Sequence, residues 1–450
     1  MMSLAEIGAA TQAIEVFGHA QLDGVTTDSR KNCASKLFVA LNGPNFDGHD
    51  YVEAAVKGDA SAVMVHRPYT GSLPAVRVRD TSEALLELGR AWRQKYPVPT
   101  VGVTGSAGKT TVKEMLGAIM SLTGQGVVTA GNLNNHIGVP LTLTRLGAGD
   151  QYAVIEMGMS NRGEISRLSK ITRPNVAIIT NAGAAHLEGL GSVDEVAKAK
   201  AEIFEGLQKG GVAVINADDS YADFWKKMAG SNKQVTFGQS PDADIRVTLM
   251  EETPSGQKLS MTLEKQELNI HLPLTGLHNA LNAAAAAAAA RAIGVSFEHI
   301  VKGLESLRAI SGRSNVLQVN GFTLIDDAYN ANPLSMNAAI EMLVAQKGER
   351  RILALGDMAE LGADEVEAHA ALGRYIALQP ISAVYAVGDL MESTVAAVGE
   401  QAKHFSTKQL LLECLRRELT LGDVVLVKGS RSAGMEEIVD GLTAESVQVH

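Results

Sequence analysis

The sequence of 450 residues has little of several features that whole classes of protein require. Its two cysteines, Cys33 and Cys414, lie far apart without a CxxC pattern, which argues against a disulfide framework and a cysteine-based zinc site. Aromatic residues make up only 4%, too few to predict base-stacking platforms. The chain also lacks an excess of positive charge, because 40 Lys and Arg stand against 50 Asp and Glu, a net charge of −10. We therefore expect no nucleic-acid partner, since non-specific binding of nucleic acid needs a basic surface.

Long apolar segments are missing too. The most apolar run is the alanine tract at 283–290, which is too short to span a bilayer. Residues 1–18 contain no basic segment followed by a long apolar core, so we expect no signal peptide. With 46% hydrophobic and 20% charged residues, the composition is that of an ordinary folded protein. The sequence predicts a cytoplasmic protein without membrane insertion.

The length predicts two to four domains. Residues 1–80 contain three apolar, strand-like runs and a helical pattern at 49–58, which together indicate a small α/β domain. The strand-like runs are LFVAL (37–41), SAVMV (61–65) and AVRV (75–78). A second helical pattern at 82–94 leads to Pro97, and we place the domain boundary near residue 80.

Residues 81–312 form the predicted central domain. Continuous apolar strands alternate with longer helical patterns, which predicts a parallel sheet covered on both faces. The runs are PTVGVTG (99–105), YAVIEMG (152–158), NVAIITN (175–181) and GVAVIN (211–216). At 244–273 the pattern alternates apolar and polar residues and indicates an antiparallel meander. Two helices are predicted after it, at 277–294 and 296–307, and we expect the alanines of the first to let it pack close to a sheet.

Residues 313–450 repeat the strand–helix rhythm and predict a second doubly wound, Rossmann-like α/β domain. Its strand-like runs are FTLIDD (322–327), ERRILALGD (349–357), ISAVYAVGD (381–389) and DVVLVKGS (423–430). The predicted fold class is therefore α/β with three domains: a small N-terminal one, a central one built on a phosphate-loop parallel sheet, and a Rossmann-like C-terminal one.

The strongest local signal is TGSAGKTT (104–111), which lies between a strand-like run and a helical pattern. Small residues allow a tight turn whose N–H groups converge on phosphate oxygens, and the helix N-terminus adds a partial positive charge. Lys109 can reach the β- and γ-phosphates, and the Thr110 hydroxyl can join a Mg²⁺ shell. The strict GxxxxGK[ST] pattern fails because residue 103 is Val. The structural alternative is a strand–turn–helix with a solvated lysine.

Two further polar residues follow predicted strands of the same sheet. Glu156 ends the run AVIE, and His186 follows NVAIITN by a short loop. The carboxyl ends of parallel strands share one edge, where Mg²⁺ would need hard oxygen ligands. Each residue also has an ordinary reading, Glu156 as a surface or cap carboxylate and His186 as a loop histidine. On the helix predicted at 192–207, Lys198 and Lys200 are most simply two solvated lysines.

These segments together resemble the Mur ligase family over essentially the whole chain. The resemblance rests on the phosphate loop and on several long, composition-specific strings: TTDSRK (26–31), FDGHDY (46–51), GNLNNHIGVPLTL (131–143), EMGMSNRGEI (156–165), NAGAAHLEGLGS (181–192), VAKAKAEIF (196–204), LHNALNA (277–283), SGRS (311–314), DDAYNANP (326–333), LALGDMAELG (353–362) and KGSRSAGME (428–436).

The resemblance implies roles for individual residues. It implies catalytic or metal-binding roles for Lys109, Thr110, Glu156, His186 and Lys200, the last as a lysine carbamylated by CO₂ that supports a second Mg²⁺. It implies ATP contacts from the phosphate loop, the following helix region and the hinge: Gly105, Ser106, Ala107, Gly108, Lys109, Thr110, Thr111, Asn279, Asn282, Arg313 and Asp327. It implies substrate contacts from Ser29 and Arg30 on the uridine-nucleotide side, Asn134 and Asn135 on the sugar-phosphate side, and Lys428, Ser430 and Arg431 in the C-terminal motif.

The resemblance implies ATP-driven amide ligation through an acyl phosphate, with Mg²⁺. It implies that a monomer joins D-alanyl-D-alanine to UDP-N-acetylmuramoyl-tripeptide. Two alternatives stay open. Folylpolyglutamate synthases share the core and the ligation chemistry, but we would not expect TTDSRK with FDGHDY in them. A phosphate-loop NTPase acting as a switch would hydrolyse nucleotide without a condensed product, and it would leave the third domain unexplained.

Overall fold

The polypeptide forms three successive α/β units, each with its own β-sheet. The computed structural model describes residues 2–43, 46–253, 256–308 and 312–444. Ser311, which opens the SGRS motif, lies outside the described residues. Within the described segments, no helix is both long enough and apolar enough to cross a membrane.

The first unit is a parallel sheet with one antiparallel edge. Its strands are β1 (Met2–Ser3), β2 (Glu15–Phe17), β3 (Gln21–Leu22), β4 (Gly24–Thr26), β5 (Lys36–Val39), β6 (Ala62–Val65) and β7 (Ala75–Arg77), and its helices are α1 (Leu4–Ala10) and α2 (Val52–Lys57), with a 3₁₀ turn at Gly48–Tyr51. The sheet order is β2-β7-β6-β5-β4, in which β2 runs antiparallel to β7, and β1 pairs with β3 separately. The three predicted strands are confirmed, whereas β1 to β4 carried no clear pattern. Helix α3 (Thr81–Lys95) follows.

The central unit is the largest sheet. Its strands are β8 (Thr100–Thr104), β9 (Gly126–Val128), β10 (Tyr152–Glu156), β11 (Val176–Ile179), β12 (Val212–Asn216), β13 (Lys233–Gly238), β14 (Ile245–Thr253), β15 (Gly256–Leu263) and β16 (Gln266–Leu272). The order is β16-β15-β14-β13-β12-β11-β8-β10-β9. In this order, neighbouring strands from β14 to β9 pair in parallel, and β8 lies among them. Strands β14 to β16 form the predicted antiparallel meander.

Helices cover both faces of this sheet. They are α4 (Lys109–Ser121), α5 (Gly138–Leu143), α6 (Glu164–Thr172), α7 (Leu187–Leu190), α8 (Val193–Ala201), α9 (Ala222–Ala229), α10 (Leu277–Ala292) and α11 (Phe297–Glu305), with a 3₁₀ turn at Glu202–Gly206 after α8. The alanine tract lies in α10, and every alanine from 283 to 290 is buried against α4 and the sheet. Small side chains therefore allow the close packing that the sequence predicted.

The third unit has the predicted Rossmann-like build. Its strands are β17 (Asn315–Val319), β18 (Phe322–Asp327), β19 (Arg351–Gly356), β20 (Ala383–Val387), β21 (Ala402–Phe405) and β22 (Val424–Lys428), and its helices are α12 (Pro333–Ala345), α13 (Glu365–Ala377), α14 (Met391–Val398), α15 (Lys408–Glu418) and α16 (Glu436–Ala444), with 3₁₀ turns at Gly362–Asp364 and Arg431–Ala433. The order is β17-β18-β22-β19-β20-β21, parallel except for the β17–β18 hairpin. Helices α12 to α14 pack on one face, and α15 and α16 on the other.

Helix α3 joins the first unit to the central one. Its buried residues belong to a single apolar cluster that extends from α1 and β5 to α5, α6 and β10. A Cβ added at Gly89 would lie 2.7 Å from Pro140 Cβ, so α3 and α5 approach too closely for a larger residue there. Since this apolar contact is continuous, it favours one packed arrangement of the two units.

A buried arginine at the end of α3 completes this junction. Arg93 is 3% exposed and donates to three carbonyl oxygens, those of Thr172 (2.9 Å), Tyr96 (3.0 Å) and Arg173 (3.4 Å). Burial lowers its pKa to about 10, and the neighbouring Arg173 acts in the same direction. The guanidinium satisfies carbonyls at the C-terminal end of α6 that the helix itself leaves unpaired.

We predict that Arg93→Met lowers the free energy of unfolding by about 2 kcal/mol, because buried carbonyls lose their donors. Arg90→Met is the matched control, since Arg90 lies on the same helix but is exposed and pairs with the exposed Glu87. Urea unfolding followed by circular dichroism measures both. Equal losses in the two variants would show that the buried contacts of Arg93 contribute nothing.

Candidate active site

A cleft of about 630 Å³ lies between the central and third units, at the carboxyl ends of β8, β10 and β11. Most of the residues predicted to act together line it: Ser106, Ala107, Gly108, Lys109, Thr110, Thr111, Asn134, Asn135, Glu156, His186, Asn279, Asn282, Arg313, Asp327, Lys428 and Arg431. They come from segments more than 300 residues apart in sequence, so the cleft exists only because the units meet.

The phosphate loop turns from β8 into α4 through two glycines that tolerate no side chain. A Cβ on Gly105 would lie 1.7 Å from Thr180 Oγ1, and one on Gly108 would lie 2.3 Å from Asn282 Oδ1. Gly108 also has a φ of 82°, in the left-handed region that favours glycine, and it caps α4. The first turn of a helix leaves N–H groups without intrahelical acceptors, so Lys109, Thr110 and Thr111 offer donors to an anion.

The first half of the loop is used differently from the prediction. The N–H of Ser106 donates to Asn181 O (3.1 Å), and the N–H of Ala107 donates to Asn181 Oδ1 (2.8 Å). The Thr180 hydroxyl donates to Ala107 O at 2.6 Å. These two N–H groups are therefore occupied by the end of β11 and brace the loop, instead of all converging on phosphate. Sequence reasoning missed Asn181, because it treated NVAIITN only as a strand.

Lys109 is not the solvated lysine of the structural alternative. It is half-buried, and its Nζ donates to Gly105 O at 2.7 Å, which folds the side chain back over the loop. Burial lowers the pKa of Lys109, whereas the negative charges of Glu156 and Glu360 oppose that shift. The ammonium thus lies within the electrostatic reach of carboxylates from both units.

Glu156 presents an unpaired carboxylate oxygen to the cleft. The residue is 1% exposed, and its Oε1 accepts from Asn134 Nδ2 at 2.7 Å. Its Oε2 is buried and finds no donor among the described residues. A buried carboxylate oxygen without a partner is costly unless a cation or a donor completes it. This oxygen fits a hard divalent cation such as Mg²⁺.

His186 marks the contact between the two units. It caps α7 with a φ of 57° and pairs through Nδ1 with the carboxylate of Glu360, which comes from the third unit and also has a positive φ of 63°. This close contact with His186 lowers the pKa of Glu360. The N–H of Glu188 donates to Glu360 O (3.4 Å), and Asn332 Nδ2 donates to Ser106 O (3.2 Å). Sequence reasoning did not find Glu360, although it lies in the quoted string LALGDMAELG.

Lys200 lies behind the cleft wall and is 2% exposed, so the reading as a solvated helix lysine is wrong. Burial lowers its pKa well below the usual range, and the positive charge of Lys109 lowers it further. Asp219 lies close enough to oppose this shift, but no described side chain forms a hydrogen bond or ion pair with the Lys200 amine. Lys198, by contrast, is exposed and pairs with Glu195 at 2.8 Å.

The opposite wall of the cleft carries the residues expected near the nucleotide. Asn279 Nδ2 donates to Thr275 O (2.8 Å), and Asn282 Nδ2 donates to Asn279 Oδ1 (3.3 Å). The neighbouring His278 also lines the cleft, and burial lowers its pKa to about 4, so it is neutral at pH 7. Sequence reasoning had passed over His278, although it stands next to Asn279.

The residues expected at the hinge form a paired cluster. The carboxylate of Asp327 accepts from Lys428 Nζ (2.5 Å) and from the N–H of Ser314 (2.9 Å). The guanidinium groups of Arg313 and Arg431 lie 4.3 and 5.5 Å from the ring of Tyr329. Asp327 therefore has its oxygens engaged by the protein, whereas the two arginines face the cleft.

Three predicted substrate residues do not line the cleft. Ser29 and Arg30 belong to the first unit, where the exposed Arg30 pairs with Asp28 at 2.9 Å. Ser430 is buried beside the cleft, its N–H donates to Asp357 O (2.8 Å), and its hydroxyl shares a hydrogen bond with Ser432. A direct role for the Ser430 hydroxyl in binding an amine does not fit this environment.

The cleft brings together a phosphate loop on a parallel sheet, a carboxylate, a histidine and a second α/β unit. This arrangement defines a class of protein: a nucleotide-dependent α/β enzyme whose site is shared by two units. Comparison with known families agrees with this class. Residues 21–100 match the model for the Mur ligase family, catalytic domain, residues 103–290 the Mur ligase middle domain, and residues 312–431 the Mur ligase, glutamate ligase domain.

Similar proteins cover nearly the whole chain. The UDP-N-acetylmuramoyl-tripeptide–D-alanyl-D-alanine ligase of Escherichia coli K12 is 44% identical over 427 residues, covering 94% of each chain. The crystal structure of MurF from Acinetobacter baumannii has a TM-score of 0.91 at 35% identity and 98% coverage of both chains. That of MurF ligase from Thermotoga maritima in complex with ADP has a TM-score of 0.85 at 28% identity, covering 94% of this chain and 97% of that one. The chain belongs to the Mur ligase family.

We predict that Asn181→Ala raises the KM for ATP about tenfold, because the released N–H groups of Ser106 and Ala107 let the phosphate loop relax. Asn175→Ala is the matched control at the other end of β11, where the Asn175 side chain accepts from the N–H of Thr100 (2.9 Å) and does not contact the phosphate loop. Steady-state rates of ADP release at varied ATP measure the effect. A KM shift of the same size in both variants would contradict the bracing role of Asn181.

Proposed function

We propose that this chain joins the amine of D-alanyl-D-alanine to the terminal carboxylate of UDP-N-acetylmuramoyl-tripeptide, with conversion of ATP to ADP and phosphate. The observation that carries the proposal is the convergence of Lys109, the unpaired Glu156 oxygen and His186 in one cleft between two units. The names of the E. coli relative and of the MurF structures, matched over nearly their full lengths, support the choice of substrates.

The chemistry follows from the weakness of a carboxylate as an electrophile. A carboxylate oxygen attacks the γ-phosphorus of ATP, and the bond from the γ-phosphorus to the oxygen of the β-phosphate breaks. ADP departs, and the carboxylate has become an acyl phosphate. The amine of D-alanyl-D-alanine then attacks the carbonyl carbon of the acyl phosphate and forms the C–N bond. The C–O bond to the phosphate breaks, phosphate leaves, and the amine gives up a proton. The first step brings several anions together, and the Lys109 ammonium and the first-turn N–H groups of α4 stabilise their charge.

Mg²⁺ fits this donor set, and it would supply further charge neutralisation at the phosphates when bound. Thr110 and Glu156 offer the hard oxygens, with His186 beside them. Among the described residues no three His, Cys, Asp or Glu side chains form a ready cation cluster, so phosphate oxygens would have to complete the shell. Histidine is a poor Mg²⁺ ligand, and we assign His186 first to the contact with Glu360.

Carbamylation of Lys200 is supported by its environment. Only a neutral amine adds to CO₂, and burial next to Lys109 keeps the Lys200 amine neutral at a lower pH than usual. The product would be an anion at the end of a long stem, beside the Lys109 ammonium. This change of sign turns a repulsive pair into an attractive one and supplies oxygen ligands for a second Mg²⁺.

The third unit has two roles in the proposed reaction. Its contacts through Glu360 and Asn332 close the cleft over the phosphate loop, which shields an acyl phosphate from water. Arg431 lines the cleft on the side where the carboxylate of D-alanyl-D-alanine would bind, whereas the charge of Lys428 is balanced by its pair with Asp327.

Since both cysteines are free thiols and the reaction uses ATP, we place the enzyme in the cytoplasm.

The direct test supplies ATP, Mg²⁺, UDP-N-acetylmuramoyl-tripeptide and D-alanyl-D-alanine, and detects ADP and the new peptide product by mass spectrometry. A parallel reaction contains a folate and glutamate, the substrates of a folylpolyglutamate synthase. ADP release without any condensed product would favour the phosphate-loop switch. Product in the folate reaction alone would overturn the proposed substrates but keep the ligase chemistry.

We predict that Lys200→Ala is nearly inactive and that acetate or propionate partly restores it, because a small carboxylate can occupy the space of the carbamate. Lys200→Glu should not simply restore activity, since its stem is too short to place the oxygens there. Lys198→Ala is the control on the same helix, where loss of an exposed lysine should change stability by at most about 0.5 kcal/mol. Wild-type turnover in Lys200→Ala, measured as kcat, would rule out the carbamate.

We predict that Ser29→Ala and Arg30→Ala raise the KM for the UDP-linked precursor much more than the KM for ATP. Both residues lie in the first unit, away from the cleft, where they would hold a remote part of the substrate and contribute binding rather than chemistry. Lys57→Ala, on exposed α2 of the same unit, is the control. Equal changes in both KM values would mean that the uridine nucleotide binds elsewhere.

A further inference from the structure

One fully buried lysine has no part in the mechanism above. Lys113 lies on α4 one turn after Lys109, and its side chain is 0% exposed. It does not line the cleft. A buried ammonium is costly unless all its partners are in place, so its contacts indicate what it does.

The partners of Lys113 belong mainly to one loop. Its Nζ lies 2.9 Å from Thr129 O and 3.4 Å from Gly131 O. The third partner is Glu114 Oε1 at 2.7 Å, a carboxylate whose side chain is 41% exposed. The ammonium therefore holds two carbonyls of the loop after β9 against the helix that begins with the phosphate loop.

That loop carries the residues expected to contact the sugar-phosphate. Asn134 Nδ2 donates to Glu156 Oε1 (2.7 Å), and Asn134 O accepts from the N–H of Gly158 (2.8 Å). At the start of the loop, Thr129 Oγ1 accepts from the N–H of Glu156 at 3.0 Å. The loop anchored by Lys113 thus touches Glu156 at its backbone and at its carboxylate.

We propose that Lys113 is a positioning residue that fixes the 129–135 loop relative to the phosphate-loop helix, and so sets the place of Asn134 for the UDP-linked precursor. This inference rests on the proposed function, because it takes the precursor as the ligand of that loop. Lys113 touches no reacting atom. It acts through the two carbonyls it binds, and its removal frees the loop while leaving the N–H groups that meet ATP unchanged.

The test compares KM values in Lys113→Met, which keeps the length of the stem and removes the donors. The KM for UDP-N-acetylmuramoyl-tripeptide should rise about tenfold, whereas the KM for ATP should rise by no more than about threefold, because Glu156 touches the loop but stays held by the pairing of β10 with β8. Glu114→Gln is the matched control, because it removes the negative charge at the exposed end but keeps a side-chain oxygen acceptor and both carbonyl contacts. Its two KM values should stay within about twofold of wild type.

A double-mutant cycle separates positioning from general destabilisation. In an Asn134→Ala background, Lys113→Met should add less than about a twofold further rise in precursor KM, since the side chain it positions is already gone. An undiminished effect in that background, or equal changes in both KM values, would overturn the proposal. If Lys113→Met yields no folded protein, Lys113→Gln takes its place with the same expected KM difference. Product formation by the wild type tests the proposed function separately.

Discussion

The parallel pairing of β10, β8 and β11 is the constraint on which the site depends. In this register Glu156 lies opposite Val103, and Ile179 lies opposite Thr104. Three strand ends therefore deliver a carboxylate, the phosphate loop and the Thr180–Asn181 brace to one edge. A shift of one residue would turn each of these side chains to the other face of the sheet. The continuous apolar runs that bury this sheet on both sides hold the register in place.

The sequence predicted what depends on local pattern. Apolar runs located several parallel strands of each sheet, and the alternation at 244–273 located the antiparallel meander. Glycine spacing before Lys109 identified the phosphate loop, because a tight turn into a helix needs residues without side chains. Short strands such as β2 and β9, with three residues each, were beyond this method, since they carry too little periodicity to distinguish them from loops.

What the sequence could not supply are relations between distant segments. The local sequence indicates only that Asn181 ends a strand. The pairing of β8 with β11 brings its side chain to the N–H of Ala107. Lys200 reads as an exposed helix residue, and only the packing of α8 shows that it is buried near Lys109. Glu360 and His186 are 174 positions apart, and their contact exists because the third unit closes onto the central one. In each case the role of the residue depends on a neighbour that is distant in sequence, and no local sequence pattern predicts such a neighbour.

The apolar junction around α3 sets the distance between the first unit and the phosphate loop. Because the first and central units share one apolar cluster, the separation between Arg30 and Lys109 depends on that contact and not on the third unit. In the proposed reaction one end of the precursor is held near Arg30 and its carboxylate must reach the phosphate loop. Each residue of an extended peptide spans about 3.5 Å, so a precursor one residue shorter would leave its carboxylate short of the γ-phosphate. In the proposed reaction, this separation would let the enzyme select precursors by length, without a side chain that recognises their composition.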